Sequence, residues 1–578
     1  MALRVLRALW TRIWCAFALA ATVLAQPVDL GRITFHTSGS PAAQPLFVRG
    51  VLLLHSFEYD DAIDAFREAE RLDPGFAMAY WGEAMCYSQP LWYNENIEKA
   101  RATLARLAPT PEARARRAAT ARERAYLAAV ERLFGDGDTA TRAREYADRM
   151  GTLAAQYPDD DEAGAFYALA LLGTIPSGAR RPDVSLKAGA IAAAILERHP
   201  QHPGAAHYTL HAYDDGEHAA TGLKAARIYA RIAPASSHAR HMPSHVFLPL
   251  GLWDDAARAD ASAFAASVEW ATRKGLPAAQ QDFHSLGWLQ YEYLQQGRFR
   301  QARALLDPVR RAMAEAGSAD ASPHGTASAP VARGSEGTRT RSSTVVARGV
   351  SRATEASGHQ HVETEIGRGF APLSLKSELA SMRARIVIES GDWAQMQGAA
   401  SFDNIDELFA LGLSSVRLND LPRADAAVEH LGNAATVIPD QDARDVAAIM
   451  AAELDGIVRL ARRDRAGGLA ALARAAALEA KRPRPVARPY PVKPAGELYG
   501  EGLLASGDAG AAVRQFQAAL ARTPNRAAAL LGLARAAHAA GLRPEAVRAA
   551  RTFLEIWHAA DPNRPEIAEA RRIAQRAP

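Results

Sequence analysis

Small and apolar residues recur along the chain at helical spacing, and no run of alternating apolar residues competes for strand. Over residues 43–76 they fall in a fixed order. With Ala43 as position 1, Gly50, Ala62, Phe66, Ala69 and Pro74 occupy positions 8, 20, 24, 27 and 32. The spacing predicts a helix-turn-helix unit of 34 residues. Small residues at 8 and 20 let the two helices cross closely, and the proline at 32 ends the second helix.

The register repeats. Lys493–Arg526 carries Gly500, Ala512, Phe516, Ala519 and Pro524, and Ala527–Ala560 continues with Leu530, Leu533, Ala534, Ala546 and Phe553. Pro203–Ser236 and Ser237–Trp270 form a further pair, with Pro234 at position 32, Ala256 at 20 and Ala263 at 27. Degenerate units follow over His284–Arg311 and between Ile405 and Glu479. This is the tetratricopeptide (TPR) pattern, and the expected fold class is all-α: a TPR-like helical-hairpin solenoid wound as a right-handed superhelix. Two segments break it. Gly317–Gly369 is rich in Gly, Ser, Thr, Ala and Arg and reads as a disordered insert. Lys481–Pro494 holds five prolines and reads as an extended strap. The expected organisation is a leader over 1–25, helical repeats over 26–316, the insert over 317–369, degenerate repeats over 370–480, the strap over 481–494 and C-terminal repeats over 495–578.

The leader reads as a signal peptide. Arg4, Arg7 and Arg12 precede an apolar run, Ile13–Ala25, too short for a comfortable membrane span. The expectation is a periplasmic or secreted protein with no membrane span once the signal is removed. These three arginines supply three of the four net positive charges of the 578-residue chain, so its pI of about 9.0 carries no nucleic-acid footprint. Cys15 lies in the leader, which leaves Cys86 alone and excludes an internal disulfide or a Cys-rich zinc site.

Histidine changes the picture. Of 17 histidines, eight lie between His199 and His245. His207 and His211 take positions 5 and 9 of one unit, and His241 and His245 take positions 5 and 9 of the next. Each pair is spaced i,i+4, so both rings leave one helix face. Positions 2, 5, 9, 12 and 13 face the inner groove of a TPR array. His238 is at position 2, and Asp214 and Asp215 are at 12 and 13. Two such pairs on neighbouring helices can converge on one transition metal, with Zn, Cu, Ni or Fe suited to imidazole and carboxylate ligands. Asp214, Asp215 and His218 are added ligands or acceptors that set histidine tautomers, and His284 reaches the groove from the next unit. Pro243 threatens this picture, because it interrupts the helix between His241 and His245. His199 and His202 are read as turn residues. His55, Glu83 and Trp81 are assigned to a groove-binding surface. The aromatic set Tyr80, Trp81, Tyr87, Trp92 and Tyr93 reads either as core or as a groove wall.

The segments Ser56-Phe57-Glu58-Tyr59-Asp60, Ala79-Tyr80-Trp81-Gly82-Glu83, His202-Pro203-Gly204-Ala205-Ala206-His207-Tyr208, His238-Ala239-Arg240-His241-Met242-Pro243-Ser244-His245 and His284-Ser285-Leu286-Gly287-Trp288 resemble a family of exported bacterial TPR proteins. That resemblance covers most of the chain outside the leader and the insert. It implies a fold and a His-rich surface, and no reaction. No His-Glu-x-x-His, phosphate loop or nucleophile elbow is present, and no catalytic residue is assigned. The leading expectation is an envelope scaffold that binds a protein or peptide partner, with a His/Asp metal site in its groove. One alternative is a metal-dependent hydrolase or oxidoreductase using the same site. The other is a structural interaction scaffold without metal.

Overall fold

A computed structural model describes residues 30–177, 179–320, 372–397, 404–485 and 487–575. The leader lies outside these residues, and so does nearly all of the insert. Helix is the dominant element. Among the described residues the only strands are Ser88–Gln89 and Asn94–Glu95, a two-residue antiparallel ladder. None of the helices searched is long and apolar enough to cross a membrane.

The repeat register is visible in the packing. Gln44–His55 and Tyr59–Leu72 form a hairpin, and Ala77–Met85 follows. The Phe66 ring lies between Gly50 and Gly82. A Cβ at Gly50 would stand 2.6 Å from that ring, and one at Gly82 would stand 2.3 Å from it. The C-terminal unit repeats the arrangement around Phe516, where a Cβ would lie 3.0 Å away at Gly500 and 2.4 Å away at Gly532. Position 24 thus supplies a large ring, and small residues on the flanking helices accept it. Helix starts are set locally by caps. Thr120 and Glu123 form a reciprocal capping box, and Asp138, Asp160, Asp282, Asp440 and Asp508 each accept a backbone N–H from the first turn.

Most hairpins turn in one way. At Gly251, Gly297, Gly507, Gly541 and Asn419 the backbone enters the left-handed region with φ of 62–86°. The N–H of the following residue then reaches back to the carbonyl five residues earlier, as from Arg298 to Tyr293 and from Asp508 to Leu503. Glycine suits this turn because it has no Cβ to clash. The first hairpin makes the same turn, Glu58 to Leu53, but with Phe57 at φ 58°.

The array curls back on itself. The Pro203–Ala212 helix packs against Gln44–His55, and Gly204 permits the approach: a Cβ there would lie 2.3 Å from His55 Nδ1. At the other end, the indole of Trp253 donates to the Asn525 carbonyl at 2.9 Å. Arg526, fully buried, pairs with Glu497 and Glu389 and touches the Tyr291 hydroxyl. The chain's own helices therefore occupy part of the inner face expected as an open groove. The described residues of 481–494 are non-helical and run along this junction. Arg484 packs against Gly216, and Arg488 reaches Glu378 at 2.8 Å.

Candidate metal centre

The helix expected to carry His241 and His245 is broken. Ser237–His241 and Ser244–Phe247 are two short helices on either side of Met242 and Pro243, because proline offers no N–H to continue the ladder. Ser236 caps the first, its hydroxyl accepting from Ala239 N at 3.0 Å. This break overturns the expectation of two register-matched pairs meeting at one point. His238 turns toward the preceding repeat, and His241 and His245 stay together. The result is two clusters of three.

In the first cluster His207 Nε2 lies 2.9 Å from His238 Nε2 and 3.0 Å from His211 Nε2. In the second, His241 Nε2 lies 3.0 Å from His245 Nε2, and His284 supplies a third ring nitrogen. Within each cluster the candidate ligand atoms all lie within 4.8 Å of one another. The rings of His238 and His241, one from each cluster, are 6.5 Å apart.

The outer nitrogens fix what the inner ones are. His207 Nδ1 lies 2.6 Å from the His55 carbonyl, which can only accept, so the ring proton sits on Nδ1. His207 Nε2 then carries a lone pair aimed into the cluster. His245 Nδ1 pairs with Asp214 at 2.8 Å and His241 Nδ1 with Asp260 at 2.5 Å. The Nε2 atoms of these two rings lie 3.0 Å apart, an arrangement that calls for a cation or a proton between them. Burial resists the proton. It drives the His207 pKa down to about 3 and that of His241 down to about 4.

The second cluster has a buried acidic backing. Asp260 and Glu292 are fully buried, and burial raises both pKa values well above the usual carboxylate range. Among the described residues neither carboxyl forms an ion pair with a lysine or arginine. Trp288 closes this side, with its ring 4.6 Å from His245 and 5.0 Å from His241. Phe57 closes the first cluster, with its ring 4.3 Å from His207, 5.5 Å from His238 and 5.7 Å from His211.

A third set is built differently. His55 Nε2 meets Glu162 at 2.6 Å, and its Nδ1 meets the Tyr208 hydroxyl at 2.9 Å. His202 caps the Pro203–Ala212 helix by accepting the Ala205 N–H on Nδ1, so its proton sits on Nε2, 3.3 Å from Glu162. Here carboxylate oxygens face ring N–H groups, and the set clasps three helices together without a cation.

Several expected site residues lie elsewhere. Asp215 and His218 pair with each other at 2.7 Å, outside both clusters. Asp214 is the acceptor that orients His245. His55 is buried in the Glu162 clasp and serves the first cluster only through its carbonyl. Glu83 is buried in a knot with Arg67, Arg106, Tyr87 and Thr103. Trp81 is enclosed in the core against Phe35, Tyr126 and Phe166. Both corrections have one cause: the Ala77–Met85 helix is buried along its whole length. Asp260, Glu292, Phe57 and Glu58 were missed. Asp260 had a signal in the register, because with Ser237 as position 1 it takes position 24, where Phe66 and Phe516 stand in their units.

By its own packing the chain is a TPR-like hairpin-repeat protein with two three-histidine clusters on its inner face. No protein-family model matches it, and no curated protein does. Among solved structures, yeast Tom70 is 12% identical with a TM-score of 0.30, the match covering 92% of this chain and 95% of that one. The APC/C hetero-tetramer Cut9-Hcn1 is 12% identical with a TM-score of 0.29, covering 98% and 81%. The human IFIT1 dimer with m7Gppp-AAAA is 11% identical with a TM-score of 0.30, covering 91% and 92%. Overlaps this loose carry no argument about the clusters.

Proposed function

We propose that the protein is an exported helical-repeat binding protein that holds two transition-metal ions, one on His207, His211 and His238 and one on His241, His245 and His284. The observation that carries this reading is the convergence of ring nitrogens in two sets of three, with the Nδ1 atoms of His207, His241 and His245 engaged outward. A metal ligand histidine is oriented in this way, by a carbonyl or carboxylate on its other nitrogen. Six imidazoles without a thiolate suit Zn, Cu, Ni or Fe rather than Mg or Ca. The buried Asp260 and Glu292 favour a cation beside them. The repeat scaffold supports a role in binding a protein or peptide partner. Export rests on the sequence of the leader alone, and fractionation of cells expressing the full chain tests it.

Metal analysis of untagged protein, supplied in turn with each of the four metals, tests the sites. Two equivalents are expected in the parent, and one each in His207→Ala and His245→Ala. A parent that retains no transition metal after supply refutes the reading and leaves the clusters as hydrogen-bonded structure.

A further inference from the structure

A cleft of about 520 Å³ adjoins both clusters. His238 of the first and His241 and His284 of the second all line it. Three protein ligands leave a further coordination position on an ion, the arrangement of catalytic rather than structural sites. Both ions would therefore face one shared space.

The opposite wall is acidic and aromatic. Its carboxylates outnumber the three basic side chains, Arg49, Arg273 and Lys274. The wall already holds one ammonium group: Lys274 Nζ ion-pairs with Asp61 and stands 5.5 Å from the centre of the Trp270 ring. A substrate with a positive charge matches these walls, and a phosphate ester does not.

Glu58 and Asp60 are the two of these carboxylates with neither an ion pair nor a side-chain cap among the described residues, Glu68 being held by Arg71, and Glu58 is the one beside the His238 segment. Asp61 and Asp64 are engaged by Lys274, and Asp282 caps the Phe283–Gln295 helix and binds Ser237. Glu58 lies beside Ser236 and Ser237, next in the chain to His238; the Ser236 hydroxyl and the Ser237 N–H partly stabilise its charge, and among the described residues no cation pairs with it. Burial lifts its pKa to about 7, so near neutral pH it can both take up and return a proton.

We propose that this cleft hydrolyses an ester or amide that carries a positive charge, with Glu58 as the proton carrier. The proposal rests on the metal reading above. An ion held by the histidines would supply Lewis-acid polarisation of water and of the acyl oxygen. Water at the shared space gives a proton to Glu58 while its oxygen bonds to the acyl carbon. The bond from that carbon to the leaving oxygen or nitrogen breaks, and Glu58 returns the proton to the leaving group. The products are a carboxylic acid and an alcohol or amine, with no change of oxidation state.

The test uses the full chain loaded with zinc, with two equivalents verified before substrate is added. The probes are the p-nitroanilide of N-acetyl-lysine, that of N-acetyl-norleucine, and p-nitrophenyl phosphate. The expected result is cleavage of the lysine compound with kcat/KM at least about tenfold above the norleucine compound, and no cleavage of the phosphate. Glu58→Gln is expected to lower kcat by about 10²–10⁴-fold with metal content and melting temperature unchanged, and Glu58→Asp to recover part of the rate. A fully loaded parent that cleaves none of the probes overturns the proposal. So does a Glu58→Gln variant as fast as the parent, or a preference for the phosphate. A parent that takes up no metal fails at the first measurement and removes both readings together.

Discussion

Phe57 offers a sharp test of how the first cluster is covered. Its backbone holds φ 58°, where the equivalent turns use Gly251, Gly297, Gly507, Gly541 or Asn419 and, in one exposed case, Arg463. A side chain with a Cβ in this region costs about 1–2 kcal/mol. The ring is 5% exposed and packed on three imidazoles, so its placement offsets that strain. Replacing it with alanine or glycine removes the same ring, at about 3–5 kcal/mol for a buried phenylalanine. The two variants differ in what remains. Alanine keeps the Cβ and its strain. Glycine loses the strain but adds about 0.5–1 kcal/mol of unfolded-chain entropy. Phe57→Gly is therefore expected to be more stable than Phe57→Ala by about 0.5–1 kcal/mol, the reverse of their order inside a helix. Urea unfolding of the metal-free variants, followed side by side, measures the difference. A Phe57→Ala protein at least as stable as Phe57→Gly would show that the turn is unstrained and that the ring's position needs no special explanation.

Protons should also act on the metal-free protein through the buried rings. Unfolded imidazoles bind protons near 6.5, whereas His207 and His241 stay neutral to about 3 and about 4, so the unfolded state gains protons first. Stability should then fall as pH drops from about 6.5 toward 4, by up to about 1.4 kcal/mol per pH unit for each ring, and a double His207→Gln/His241→Gln variant should flatten that slope. A melting temperature that does not move over this range in the parent contradicts the assigned burial. Asp214→Asn should leave two metal equivalents at saturation but weaken one of them by about 10–100-fold, read by competition with a chelator; an unchanged affinity would remove Asp214 as the group that orients His245. Gly82→Ala places a Cβ 2.3 Å from the Phe66 ring and should cost about 1–3 kcal/mol by thermal unfolding, with a neutral result denying the tight crossing of these helices.

The repeat architecture was legible because its information is local. Helical periodicity, capping residues and the recurring Gly, Phe and Ala positions act within one hairpin or between neighbours, so spacing alone reveals them. The histidine surface was legible for a related reason: i,i+4 pairs one repeat apart must share a side of the array. The division of those histidines was not. Pro243 flagged a break, but where His238 turns after the break depends on which helix packs beside it. Trp81 and Glu83 were assigned to a surface because a single repeat looks half open, and only the later helices packed over the Ala77–Met85 helix bury them.

What the sequence by itself determined, then, is an all-helical repeat chain with imidazoles gathered on its inner side. Tertiary structure decided the rest: two clusters instead of one, the His55 carbonyl as the group that sets the His207 tautomer, Asp260 as the partner of His241, and Glu58 facing the same cleft. The reason is physical. A ring's proton is placed by whatever lies against its far nitrogen, and for His207 that atom belongs to a residue 152 positions away in the chain.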